Sequence, residues 1–173
     1  MAVDYSFKPY DPHFPDMFLQ EKAYILQKLS FTPRIEHLGS TAVPNLGGKG
    51  IIDIFIVVET TMLEQAKQEI TLAGYDPRPA EGNAKRFTFI KLAENHYGSI
   101  QRYHVHVCTV DSEDFQNNLL FCNYLKAHPE SAKEYAEIKK KAAAEAAQSK
   151  DVYMAIRRPF IEDIIQKAKT KVS

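Results

Sequence analysis

The chain has 173 residues, balances 22 Lys and Arg against 22 Asp and Glu, and is 45% hydrophobic. These values describe an ordinary globular protein, long enough to bury a sizeable core in a single domain over residues 1–173. They exclude the strongly basic balance of an indiscriminate nucleic-acid binder, and no run reaches the roughly 20 apolar residues of a membrane span. Cys108 and Cys122 match no metal or redox spacing and read as packed apolar side chains. The first residues lack the apolar core of a signal peptide, so the expected compartment is the cytoplasm.

Val3 to Lys8 reads as an edge strand or extended arm, ended by a turn around Pro9 and Pro12. The spacing of Met17, Phe18, Ala23, Ile25 and Leu26 predicts a helix from Phe14 to about Leu29, broken by Ser30 to Pro33. Arg34 to Leu38 is a short strand leading into Gly39 and Ser40, with one helical turn expected over Ala42 to Leu46. Ile51 to Val58 is a strand apolar on both faces apart from Asp53. Thr60 or Thr61 is expected to cap a helix running to Ala73, with Met62, Ala66, Ile70 and Ala73 on one face. A weak strand near Tyr75, a loop over Pro77 to Lys85, and antiparallel strands over Arg86 to Leu92 and Ile100 to Val110 follow. The last third is helical. Asp111 or Ser112 caps a helix carrying Phe115, Leu119 and Cys122, another starts at Glu130, and Asp151 opens a third with Tyr153, Ile156, Phe160 and Ile164. Pro159 should kink or break that last helix. The layout is α+β, a small mixed sheet with helices packed at one end or face.

Three groups of residues could carry chemistry. Gly39 permits a tight turn and close approach of a ligand to the backbone, and the Ser40 hydroxyl can donate to a phosphate; the same pair is also ordinary turn chemistry. An ionised Asp53 in an apolar strand needs a partner: a metal or phosphate site, a helix N-terminus, or Lys49. Strand periodicity puts Arg102, His104 and His106 on one face, where two imidazoles can share a metal beside an arginine that holds an anion. The competing reading is a solvent-facing strand side. The metal reading overtakes it if this strand neighbours the one bearing Asp53. His37 could approach the same ligand or simply pack. Lys49, Lys85 and Arg86 are phosphate contacts of low specificity, and Tyr153 and Arg157 share a helical face that could reach an anion. Glu134, Glu137 and Glu145 with their lysine neighbours read as a solvated helix face.

"HLGSTAVPNLGGKGIIDIFIVV", "YHVHV", "FCNYLKAHPESAKEYAEIKKK" and "YMAIRRPFI" run through nearly the whole chain in order. Together they resemble the GrpB family, whose signature runs from His-x-Gly-Ser-Thr into Lys-x-x-Ile/Val-Asp. Arg157 occupies the family's lysine place in the last segment. The resemblance implies a nucleotidyltransferase-like fold, a mixed sheet with helices packed on it and a helical C-terminal third. It also implies metal-assisted phosphoryl or nucleotidyl transfer, in which carboxylates hold the metal and the Gly-Ser turn positions phosphate. Gly39, Ser40 and Asp53 fit that pattern. Family members also occur fused to dephospho-CoA kinase.

Two departures qualify what the resemblance implies. Phe55 stands where a second carboxylate would follow Asp53, and His104 and His106 stand on the later strand that would supply another acid. Asp53 with two imidazoles suits zinc, iron or manganese better than magnesium. The expected ligand is a nucleotide or phosphorylated small molecule, with a divalent metal (Mg, Mn or Zn). Ser40 and Gly39 would contact phosphate, and Lys49, Arg102 and Arg157 would neutralise charge. Two alternatives stand beside it: a catalytically degenerate ligand-sensing or protein-interaction module, and a small hydrolase using metal at Asp53, His104 and His106.

Overall fold

The computed structural model describes residues 6–147 and 149–172. Its elements are α1 (Phe14–Lys28), β1 (Arg34–Leu38), β2 (Ile52–Val58), α2 (Leu63–Leu72), β3 (Asp76–Pro77), β4 (Arg86–Glu94), β5 (Ile100–Thr109), α3 (Glu113–Ala127), α4 (Pro129–Glu145) and α5 (Lys150–Val172). The strands form one sheet in the order β1-β2-β5-β4-β3. β2 and β5 run parallel, while the β1–β2, β4–β5 and β3–β4 pairs are antiparallel.

β2 explains why the sheet is covered on both sides. Ile52, Ile54 and Ile56 face α1 and α2, packing with Phe14, Met17, Ile25, Ala66 and Ile70. Phe55 and Val57 point the other way, into a second core with Phe115, Cys122, Leu125 and Tyr135 from α3 and α4. A strand apolar on both faces needs two covers, each buried Ile or Phe side chain contributing about 1.5–3 kcal/mol. Helices therefore lie on both faces of the sheet rather than at one end or face. Cys108 and Cys122 are free thiols buried on the second side, as packed apolar groups.

Most predicted elements fall where the periodicity puts them, and the differences have local causes. Residues 3–5 of the expected arm lie outside the described residues; within them, Lys8 pairs with Gly48 as an isolated bridge. The helical turn after β1 is a 3-10 turn over Ser40–Ala42, closed by Val43 N–H donating to the Ser40 carbonyl. Neither Thr60 nor Thr61 caps α2; a 3-10 turn over Thr60–Met62 leads into it instead. Ser112, not Asp111, caps α3 by accepting from Phe115 N–H. α5 runs unbroken through Pro159. That residue is exposed, so the carbonyl it cannot serve is open to water and the helix is not forced to end. Among the described residues, no helix is long and apolar enough to cross a membrane.

Candidate functional site

The parallel pairing of β2 with β5 sets Asp53 directly opposite His104 and Phe55 opposite His106. On the other side, β1 places Leu38 opposite Asp53, so the chain leaves β1 into Gly39 and Ser40 beside the carboxylate. Gly39 has φ 75° and ψ −174°, a conformation essentially confined to glycine. A Cβ there would lie 2.3 Å from Asp53 Oδ2. The Gly-Ser turn and the lone strand carboxylate are therefore one construction: only a residue without a side chain lets the turn close over Asp53.

These residues line a cavity of about 360 Å³ between the sheet and α3, α4 and α5. Gly39, Ser40, Lys49, Asp53, His104, His106 and Arg157 all contribute to its wall. Arg102 does not. Its Nε donates to His104 Nε2 at 3.1 Å, so it orients that ring from the side. His37 lies on the opposite face of the sheet, stacked on Phe18 and bonded to Thr41 Oγ1 at 2.9 Å. Lys85 pairs with Asp111 at the surface, while Arg86 does line the cavity. Tyr153, buried in the smaller third core, also presents its ring to the cavity.

The residue that sequence reasoning missed is Lys139. It is 2% exposed, lines the cavity, and donates from Nζ to the Gly47 carbonyl at 2.8 Å. A Cβ at Gly48 would lie 2.2 Å from Lys139 Nζ and 2.9 Å from Ser40 Oγ, so glycine there makes room for both groups. Tyr153 lies 5.3 Å from Lys49 Nζ and 4.8 Å from the Arg157 guanidinium. Tyr135 lies 5.3 Å from Lys139 Nζ and accepts hydrogen bonds from Arg157. Three cationic side chains are thus held together by two aromatic rings.

Charge in this cavity is poorly balanced. Burial pushes the Lys49 amine down to about 8, with Arg157, Lys150 and Arg102 adding to the fall and Asp53 opposing it. Burial also holds Lys139 well below its ordinary value, and Arg157 and Lys49 push the same way. Burial acts to raise the Asp53 carboxyl, but His106, His104 and Lys49 outweigh it and keep the group below its ordinary value. The His104 ring is drawn down to about 4, chiefly by burial.

The donor set at the turn is one carboxylate beside two imidazoles. Asp53 Oδ1 lies 3.8 Å from His104 Nδ1 and 3.6 Å from His106 Nε2. Because His104 Nε2 accepts from Arg102, the neutral ring carries its proton on Nδ1, the side facing Asp53. His106 differs. Its Nε2 faces Asp53 Oδ1, while Nδ1 lies 3.2 Å from Thr88 Oγ1, a hydroxyl that also reaches the Glu81 carbonyl. Among the described residues, no three His, Cys, Asp or Glu side chains are placed to cage a metal ion. Phe55, where a second acid could have stood, is 2% exposed and packs its ring 4.5 Å from that of His106.

His37 gives a pH test that is independent of any ligand. Burial drives its pKa from 6.5 to about 4, so the folded state holds it neutral while the unfolded chain takes up a proton below about 6.5. Stability therefore falls as pH drops from 6.5 towards 4, by up to about 3 kcal/mol from this group. Urea midpoints for His37→Gln should fall less steeply than wild type between pH 7 and 4.5. Parallel slopes would mean that His37 is ionised in the fold as readily as out of it.

A mixed five-stranded sheet, with a Gly-Ser turn against a strand carboxylate, places the chain in the nucleotidyltransferase-like fold class. The Cid1 poly(U) polymerase, as an H336N mutant bound to MgATP, aligns with a TM-score of 0.54 at 15% identity, covering 80% of this chain and 44% of that one. The chain belongs to the GrpB protein family, which it matches over residues 5–167. The crystal structure of conserved protein GrpB from Enterococcus faecalis aligns with a TM-score of 0.80 and 30% identity over 96% of this chain and 98% of that one. UPF0157 protein YqkA of Bacillus subtilis is 34% identical over 164 residues, 92% of this chain and 46% of its own length. The chain thus spans about half of that relative. A dephospho-CoA kinase of Mycobacterium leprae is 29% identical over 160 residues, 78% of this chain and 39% of its own length.

Proposed function

We propose that the cavity binds the phosphates of a nucleotide or another phosphorylated small molecule. One observation carries the reading: Lys49, Lys139 and Arg157 converge on one cavity beside the Gly39–Ser40 turn and Asp53, and with Arg86 they outnumber its two carboxylates, Asp53 and Asp114. Gathering these cations, Lys139 buried and Lys49 and Arg157 half-buried, costs the fold and favours entry of an anion. Phosphate oxygens would accept from the cations and from Ser40 Oγ. A divalent cation carried in with the ligand would meet Asp53 and His106, phosphate supplying its other oxygens, and would neutralise charge for phosphoryl or nucleotidyl transfer. Nucleotides and coenzyme A precursors are the first ligands to try, since relatives include dephospho-CoA kinases.

The test is a thermal-shift panel of nucleotides, dephospho-CoA and inorganic tripolyphosphate, each with magnesium, manganese or zinc. Ligand at a hundredfold excess over Kd stabilises by about 2.7 kcal/mol, which is roughly 5–10 °C for a chain of this size. Asp53→Asn should abolish the part of the shift that requires metal. If no phosphorylated compound shifts the wild type, this reading is wrong.

A second reading, a binding module without transfer chemistry, is favoured by the buried Phe55 in place of an acid. It predicts ligand binding without turnover, and product formation from any bound nucleotide would remove it.

A further inference from the structure

The cationic cluster occupies one end of the cavity, and the other end has a different chemistry. Tyr153, Arg157, Ile161 and Ile165 recur every four residues along α5, so this stripe follows the cavity wall for about 18 Å. Arg86 pairs across the sheet with Cys108, four residues beyond His104 on β5, which is about 13 Å further along the strand. The far end is therefore lined by Arg86 with Asp114, Asn117 and Asn118 from α3, while Ile161, Ile165 and Phe121 supply the apolar wall of the cavity, the Phe121 ring 5.1 Å from that of Tyr135.

Those polar groups are incompletely used. Arg86 donates from Nη2 to the Glu81 carbonyl, and its Nη1 stands 3.7 Å from Asp114 Oδ1, beyond hydrogen-bond range. Its Nε–H also has no partner among the described residues but is sealed from solvent, so the cavity meets this guanidinium through its Nη atoms. Asn118 spends its amide donor on the Asp114 carbonyl, leaving its own oxygen available. An asparagine such as Asn117 presents a donor and an acceptor side by side. Apolar walls with donors and acceptors at their margin suit a flat ring whose faces are apolar and whose edge carries nitrogen and oxygen.

Resting on the phosphate-binding reading above, we propose that Arg86, Asn117 and Asn118 form a subsite for the heterocycle of a nucleoside, whose phosphates lie at the Lys49, Lys139 and Arg157 end. The ligand class is a nucleoside polyphosphate, and the far end of the cavity sets which base it accepts.

Isothermal titration with inorganic tripolyphosphate and with each common ribonucleoside triphosphate, all with magnesium, separates the two claims. At least one nucleotide is expected to bind about tenfold or more tighter than tripolyphosphate, the scale of one well-placed amide–base contact. Asn117→Ala should remove that preference and leave tripolyphosphate affinity unchanged. Arg86→Lys should do the same, with melting curves of both variants checking that they fold. Tripolyphosphate binding with no nucleotide preference, or a preference that survives both substitutions, overturns this subsite and leaves the phosphate site standing. Absence of binding by every probe overturns both.

Discussion

Gly39→Ala is expected to lower the stability of this protein by about 2–6 kcal/mol and to abolish binding at the cavity. Two costs combine. A side chain at φ 75° and ψ −174° is strained by about 1–3 kcal/mol. Its Cβ must also displace the Asp53 carboxylate from 2.3 Å, an overpacking of about 1–3 kcal/mol. At about 2–4 °C per kcal/mol for a chain of this length, the melting temperature falls by roughly 4–24 °C. A double-mutant cycle with Asp53→Ala separates the parts. Removing the carboxylate relieves the clash and leaves the backbone strain, so Gly39→Ala should be milder in the Asp53→Ala background by about the overpacking share. Additive effects would mean that the turn and the carboxylate are independent, and the site as described would lose its central constraint.

That coupling was legible in the sequence only as a coincidence of two unusual features. A glycine followed by serine, and an acid inside an otherwise apolar strand, each have ordinary explanations; their spacing allows the chain to return to the same end of the sheet but does not require contact. What joins them is topology: β1 returns antiparallel beside β2 and delivers Gly39 to Asp53. The same holds for the histidines. Strand periodicity puts His104 and His106 on one face, but it is the parallel β2–β5 pairing, made across α2 and two intervening strands, that aims this face at Asp53.

The placements that differ from expectation have physical causes too. Arg102 shares that strand face, yet it lies towards the strand's start and spends its Nε on His104 rather than on the cavity. Lys139 was hidden among exposed neighbours, since Glu137 and Lys140 on either side of it pair at the surface. A helical projection does reveal it: Ala132, Tyr135, Ala136, Lys139 and Ala142 form the buried stripe of α4, with lysine as its one charged member. A charge within the apolar stripe was the signal to follow.

Lys139→Met should raise the stability of the ligand-free protein while weakening phosphate binding by tenfold or more. The amine is 2% exposed and held well below its ordinary pKa by burial, with Arg157 and Lys49 adding to the fall. Folding at neutral pH therefore either strips its proton or buries a repelled charge. Methionine fills a similar volume without that penalty, and replacing a buried charge in this way often stabilises by about 1–4 kcal/mol. The lost bond to the Gly47 carbonyl takes back about 1 kcal/mol, so a net gain of up to about 3 kcal/mol remains. The pH dependence fixes the cause. A lysine with a depressed folded pKa binds fewer protons folded than unfolded, so wild-type stability rises with pH until the unfolded group also deprotonates near 10.5. The advantage of Lys139→Met should therefore shrink as pH approaches that value. Lys49, drawn down to about 8, adds its own slope to both proteins and largely cancels in the difference. A variant that is less stable at every pH would make Lys139 a structural tether for Gly47. A more stable variant with unchanged phosphate affinity would remove it from the site. Greater stability with lost binding is the outcome expected of a cation kept in the cavity, at a cost to the fold, for an anionic ligand.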